Sequence, residues 1–145
     1  MTQLEIMGAN AKNASVFLRT AGSKKDDALL AIAKALREHS DEIIKANEID
    51  IENGKNAGLT ESLLDRLRLT PERINGMAEG VEQVAALADP IGNVLEGRTL
   101  KNGLAIEKVR VPMGVIGIIF EARPNVTSDA LRSTKACWTG RSENW

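Results

Sequence analysis

From Leu4 onward apolar residues return every three or four positions, through Met7, Ala11, Ala14 and Leu18, with polar residues between them. That spacing predicts an amphipathic helix with one apolar stripe. Ser23 stands where a second helix would be capped. Asp26 and Asp27 suit its first turn, and Leu29, Ile32, Ala33 and Leu36 share one face. It should end near His39 and Ser40. A short third helix is expected through Ile43, Ile44 and Ala46, before breaks at Asn53-Gly54 and Ala57-Gly58 lead to Thr60 and a turn around Leu63 and Leu64. Thr70-Pro71-Glu72 is a stronger start, because proline at the first helical position gives up no needed hydrogen bond and already holds a helical φ. Ile74, Met77, Val81 and Val84 then mark the buried stripe of that helix.

After Pro90 the period changes. A strand is expected from Leu104 to Val111, entered through Lys101, Asn102 and Gly103, and Asn-Gly favours a type I′ hairpin turn. Glu107, Val109 and Val111 share one face of this strand and Ile106, Lys108 and Arg110 the other, so neither face is wholly apolar. From pattern alone such a hairpin is either a solvated surface feature or an assembly element. The run Val115 to Phe120 is different: short, uncharged and rich in β-branched residues, it reads as a strand buried on both faces, the habit of parallel sheets. Gly114 before it and Gly117 within it read as glycines of packing or tight turning rather than phosphate binding. The chain then turns polar, with Glu121, Arg123 and Asn125 around Pro124, and Thr127 and Ser128 offer N-caps for a helix entering Ala130 and Leu131. Strand, loop, helix is the order in which open α/β sheets hold ligands, with the helix N-terminus favouring phosphate. A nucleotide site is the expectation.

The 145 residues have room for one ordinary domain. Nineteen basic against twenty acidic side chains leave a net charge of −1, so no general attraction to nucleic acid or membranes is expected and small-molecule partners are favoured. No apolar stretch approaches the length of a membrane span, and the opening MTQLEIMGANAK lacks a signal-peptide pattern, so the expected location is the cytoplasm. With one cysteine, Cys137, and one histidine, His39, neither an internal disulfide nor a metal site is expected. His39 reads as a surface residue at a helix end.

The stretches LLDRLRLTPERINGMAEGVEQVAALADPIGNVLEG (Leu63 to Gly97) and NGLAIEKVRVPMGVIGIIFEARPNVTSDA (Asn102 to Ala130) resemble the γ-glutamyl phosphate reductases, or glutamate-5-semialdehyde dehydrogenases, a branch of the aldehyde dehydrogenase superfamily. The branch is favoured because other aldehyde dehydrogenases usually carry tryptophan and phenylalanine around the asparagine, where this chain has Arg123, Pro124 and Val126. The resemblance implies an incomplete α/β fold. A helical segment (residues 1–97) leads to an oligomerisation-type hairpin (98–112), then to the first strand of an aldehyde-dehydrogenase-like nucleotide-binding domain (113–130). It also implies NADPH-dependent reduction of γ-glutamyl phosphate to glutamate 5-semialdehyde in proline biosynthesis, by a homo-oligomer.

On that resemblance Asn125 would steady the oxyanion formed when a cysteine attacks the substrate. Phe120, Glu121, Ala122, Arg123 and Pro124 would run along the cofactor. Arg123 has two readings, an anion-holding fork and one half of a surface pair with Glu121. The family's nucleophile lies later than any cysteine here, so the chain alone is expected to be inactive. Cys137 is not taken for that nucleophile, because it lies in the stretch Leu131 to Trp145, LRSTKACWTGRSENW, where the resemblance stops. Both tryptophans, Trp138 and Trp145, fall there too, which suggests a reading-frame change or an unrelated terminus; a natural short form with a folded tail is the alternative. A non-catalytic assembly module is the competing function. Cut off from neighbouring strands, Val115 to Phe120 would expose an apolar edge.

Overall fold

The computed structural model describes residues 2–120 and 123–136. It is a mixed α/β chain of six helices and a two-stranded antiparallel sheet among those residues. α1 spans Gln3–Leu18, α2 Lys24–Glu38, α3 Ser40–Asn56, α4 Glu61–Leu67 and α5 Pro71–Ala85; β1 (Val94–Thr99) and β2 (Ala105–Val109) form the hairpin, and α6 covers Val126–Ala136.

α1 begins where Thr2 and Glu5 cap each other's backbone amides reciprocally. Its apolar stripe, however, finds no partner: none of its residues is buried, and Leu4 is 78 % exposed. The periodicity is real, but the described residues supply no surface for it to cover.

The core lies between α2 and α5, and α6 packs against α5. Ala33 of α2 and Ala78 of α5 are fully buried, and side chains this small let the two helices approach closely. Leu29, Val81, Val84 and Ala85 complete the cluster, with Leu36 packed against it. Ile74 and Val81, both fully buried, each contribute about 1.5–3 kcal/mol of apolar burial. Thr70 accepts the Arg73 amide at 3.2 Å and Pro71 opens α5, as the sequence predicts. The α2–α5 pair is also tied at its edge, where Arg37 grips Glu82 with both terminal guanidinium nitrogens and donates from Nε to Asn75 at 2.9 Å. That grip holds the Glu82 carboxyl below its ordinary range and raises Arg37.

The third helix is longer than expected. It runs through Asn53-Gly54 to Asn56 because Gly54 is buried against α4: a Cβ there would lie 3.0 Å from Leu59 and 3.1 Å from Leu64. What looked like a break is a point of close approach. The break comes at Gly58, whose φ of +76° suits glycine. The turn expected around Leu63 and Leu64 is the short helix α4. Asn47 ties its exit, donating to the Leu67 carbonyl at 2.9 Å and accepting the Leu69 amide at 2.7 Å.

The hairpin pairs Val94 with Val109 and Thr99 with Ala105, with an irregularity between Val94 and Glu96. Its connection is not the two-residue type I′ turn. Gly103 donates to the Leu100 carbonyl and Leu100 to the Leu104 carbonyl, each at 2.9 Å, giving a three-residue loop with Gly103 at φ +87°. Asn102 uses its side chain instead, accepting the Leu104 amide at 3.1 Å. Every residue of both strands is exposed.

Val115 to Phe120 forms no strand. A parallel strand needs a ladder partner, and among the described residues the only ladder joins β1 to β2. The segment is exposed throughout, with Ile119 at 102 %, which is the open apolar edge expected of a strand without neighbours. α6 also starts earlier than expected. Asn125, rather than Thr127 or Ser128, precedes its first turn, and the Asn125 carbonyl accepts the Asp129 amide at 3.1 Å and the Ser128 hydroxyl at 2.8 Å. The helix then continues past Ala130 to Ala136 and buries Lys135. Cys137, Trp138 and Trp145 lie outside the described residues. No helix among the described residues is long and apolar enough to cross a membrane.

Candidate functional site

An open cleft of about 600 Å³ lies where the end of α4, the start of α5 and the segment leading into α6 meet. Three of the residues singled out in the sequence, Arg123, Pro124 and Asn125, come together in its wall. Phe120 is not among the lining residues and is exposed, and Glu121 and Ala122 lie outside the described residues.

The cleft takes its shape from two stitched corners. At the first, Arg73 in the opening turn of α5 folds back on α4: it donates to the Asp65 and Arg68 carbonyls and to the Asp65 carboxylate at 3.1 and 3.3 Å. One side chain thereby sets the angle between two helices. Glu72, beside it, is held below its ordinary range by its own backbone amide and the Thr70 hydroxyl at the positive end of α5.

At the second corner, Arg132 on α6 meets Asp129 one turn earlier at 2.8 Å, and Asp129 in turn accepts from the Asn125 side-chain amide at 3.3 Å. Arg132 reaches this place because Gly80 has no side chain: a Cβ there would sit 2.5 Å from the guanidinium nitrogen Nη1. The orientation of Asn125 therefore depends on α5 through Arg132 and Asp129. The amide gives one hydrogen to Asp129, and among the described residues its second N–H meets no acceptor.

Electrostatically the lining is cationic. The lining holds Arg66, Arg68, Arg73, Arg123 and Arg132 but only two acidic residues, Asp65 and Asp129, a formal charge of +3 among the residues of the wall. Arg66 and Arg68 were missed as site residues in the sequence. They resembled the solvated charges of any short helix, and the one local hint was their alternation with leucines in LDRLRL. Among the described residues no group of three His, Cys, Asp or Glu side chains is placed to hold a metal ion.

Comparison with known proteins decides what this frame is related to. No family model matches the chain. The γ-glutamyl phosphate reductase of Cutibacterium acnes is 56 % identical over 128 residues, covering 86 % of this chain and 31 % of that one. The chain belongs, over the stretch it spans, to the γ-glutamyl phosphate reductase family. A second relative, from Psychromonas ingrahamii, is 50 % identical over 139 residues, covering 92 % of this chain and 34 % of its own length. Crystal structures agree. The γ-glutamyl phosphate reductase of Thermotoga maritima superposes with a TM-score of 0.85 at 40 % identity, over 92 % of this chain and 33 % of that one. The Saccharomyces cerevisiae reductase also gives 0.85, at 36 % identity over 93 % of this chain. The chain thus spans about a third of the length of the reductases it matches. Those relatives are named as reductases of γ-glutamyl phosphate.

Proposed function

We propose that this chain forms part of a γ-glutamyl phosphate reductase, which reduces γ-glutamyl phosphate to glutamate 5-semialdehyde with release of phosphate, a step of proline biosynthesis in the cytoplasm. The observation that carries the proposal is the 56 % identity with a reductase over 128 residues, 86 % of this chain. NADPH, when bound, supplies the hydride. The residues present fit a phosphate-bearing cofactor of this kind, since Arg123 and the opening of α6 share one cationic wall.

In this reading Asn125 directs its second N–H at the substrate carbonyl oxygen as negative charge builds there. One such donor lowers the barrier by about 3 kcal/mol. Asp129 and Arg132 hold the amide in the donating orientation, so that the hydrogen bond needs little rearrangement as the charge develops. The reductase's cysteine nucleophile has no counterpart among the described residues, and the 145-residue chain alone is inactive.

The test is a chimera in which residues 2–130 of this chain replace the matching stretch of the Cutibacterium acnes enzyme. Phosphate-dependent reduction of NADP with semialdehyde is the readout. The chimera should turn over, and Asn125→Ala within it should lose about two orders of magnitude in kcat. An inactive but folded chimera would sink the reading.

A second reading has its own support. Every residue of β1 and β2 is exposed, Val94, Ile106 and Val109 included, which suits a hairpin that pairs with another subunit. Light scattering of the chain alone and mixed with the full-length relative tests it. A chain that stays monomeric and never enters the mixed oligomer has no assembly role.

A further inference from the structure

We propose that Arg66 and Arg123 are a two-armed receptor for a phosphate group in the cleft between α4, α5 and α6. Three of the five guanidinium groups in the wall already have a carboxylate partner. Arg73 is committed to Asp65 and two carbonyls, and Arg132 to Asp129. Arg68 has Glu61 at 3.9 Å, a loose surface pair. Arg66 and Arg123 meet no carboxylate among the described residues, yet both line the cleft. Both acidic residues of the wall are already engaged by Arg73 and Arg132, so nothing within the wall neutralises the remaining pair.

Uncompensated like charges repel, and an anion seated between them relieves that repulsion. A phosphate suits the pair better than a carboxylate does. A carboxylate is saturated by one bidentate fork, whereas a phosphate offers three acceptor oxygens and up to two charges, enough for two forks at once. The opening of α6 contributes a third element of the same sign at Asn125.

The inference rests on the reductase reading for the source of the phosphate, which is either the acyl phosphate of the substrate or a phosphate of the cofactor. The first measurement is independent of that reading: inorganic phosphate titrated into the 145-residue chain at low salt, followed by calorimetry. Saturable binding of one phosphate is expected. Arg66→Gln and Arg123→Gln should each weaken it about tenfold, the usual worth of a charge-assisted hydrogen-bonded contact. Arg98→Gln on β1, outside the cleft, should leave it unchanged, with helix content by circular dichroism equal in all variants. Absence of saturable binding, or equal losses in all three variants, overturns the receptor.

The chimera then separates the sources. If Arg66→Gln raises KM for phosphate, the acyl phosphate is held; if it raises KM for NADP, the cofactor is. If neither KM moves, the receptor plays no part in the reaction and the proposal fails. Phosphate binding by the chain beside an inactive chimera would reject the reductase reading alone, while an active chimera whose chain binds no phosphate would reject only the receptor.

Discussion

Lys135 of α6 donates to the carboxylate of Asp26, in the first turn of α2 and 109 residues earlier in the chain, and the same ammonium donates to the Ala85 carbonyl at 2.8 Å. The side chain is 1 % exposed. Three helices therefore converge on one buried cation, which caps the end of α5 and sits opposite an acidic first turn of α2. Beside it Lys25 of α2 pairs with Asp89, so the whole end of the bundle is closed by two lysine–aspartate contacts.

Replacing Lys135 with alanine should cost about 2–3 kcal/mol, because it strands an acceptor at the end of α5 and leaves Asp26 without its cation. Asp26 is partly exposed and can rehydrate, which keeps the loss below that of a fully buried pair. Lys135→Met retains most of the packed volume and should recover part of the loss. Urea midpoints compare the three proteins; an alanine variant within 0.5 kcal/mol of the parent, roughly the scatter of surface substitutions, would mean the contact is idle.

Asp89 makes stability depend on acidity. Burial alone would raise its pKa, but the Lys25 hydrogen bond, the Ile91 amide at 3.1 Å and the charges of Lys25 and Lys135 outweigh it and hold the carboxyl below its ordinary value. The folded state then binds fewer protons than the unfolded one, so stability rises with pH. The contribution is complete above the unfolded value of about 4 and is lost as pH falls through the folded value. Asp89→Asn should accordingly be less stable than the parent at pH 6, with the gap closing as pH is lowered toward 2. A gap constant across that range would reject the linkage.

Gly80→Ala separates helix propensity from the seat of Arg132. Alanine in a helix interior is worth about 1 kcal/mol over glycine, but here its methyl would displace the guanidinium. In the parent the two effects should nearly cancel. In an Arg132→Ala background the substitution should stabilise by the full propensity of about 1 kcal/mol, and that difference is read by a double-mutant cycle. Additive effects would mean that Gly80 does not seat Arg132.

Asn47 is 5 % exposed and makes both of its hydrogen bonds to the backbone at the exit of α4. Asn47→Leu should destabilise by about 2 kcal/mol, since the Leu69 amide and Leu67 carbonyl lose their partner. Because those bonds flank Arg68 at the edge of the cleft, the variant should also weaken phosphate binding. Loss of stability with unaltered binding would show that this corner does not shape the cleft.

How far the chain could be read in advance follows the range of the interactions involved. Thr70-Pro71 and the stripe from Ile74 to Val84 were legible because a cap and a helical period are local. Gly54 was misread as a break, since its reason for being glycine, the nearness of Leu59 and Leu64, exists only after α3 and α4 have packed. Val115 to Phe120 has the composition of a buried strand, but strand formation depends on a partner that the described residues do not include. The site shows the same division. Arg123 and Asn125 were marked by their place before a helix, whereas Arg66 gained meaning only from the cleft it shares with them. Lys135 gave no signal at all, because a lysine in a polar stretch ordinarily faces water.

The separation of α6 from the helices it locks also sets an order of events during synthesis. α2 and α5 can pair once residue 85 has left the ribosome, but the acidic turn at Asp26 and the open carbonyl of Ala85 must wait for residue 135 to emerge. At about 5–20 residues per second that interval lasts several seconds, during which the hairpin and the apolar stretch after it are already outside. A nascent chain halted in this window carries its exposed apolar segment before its lock.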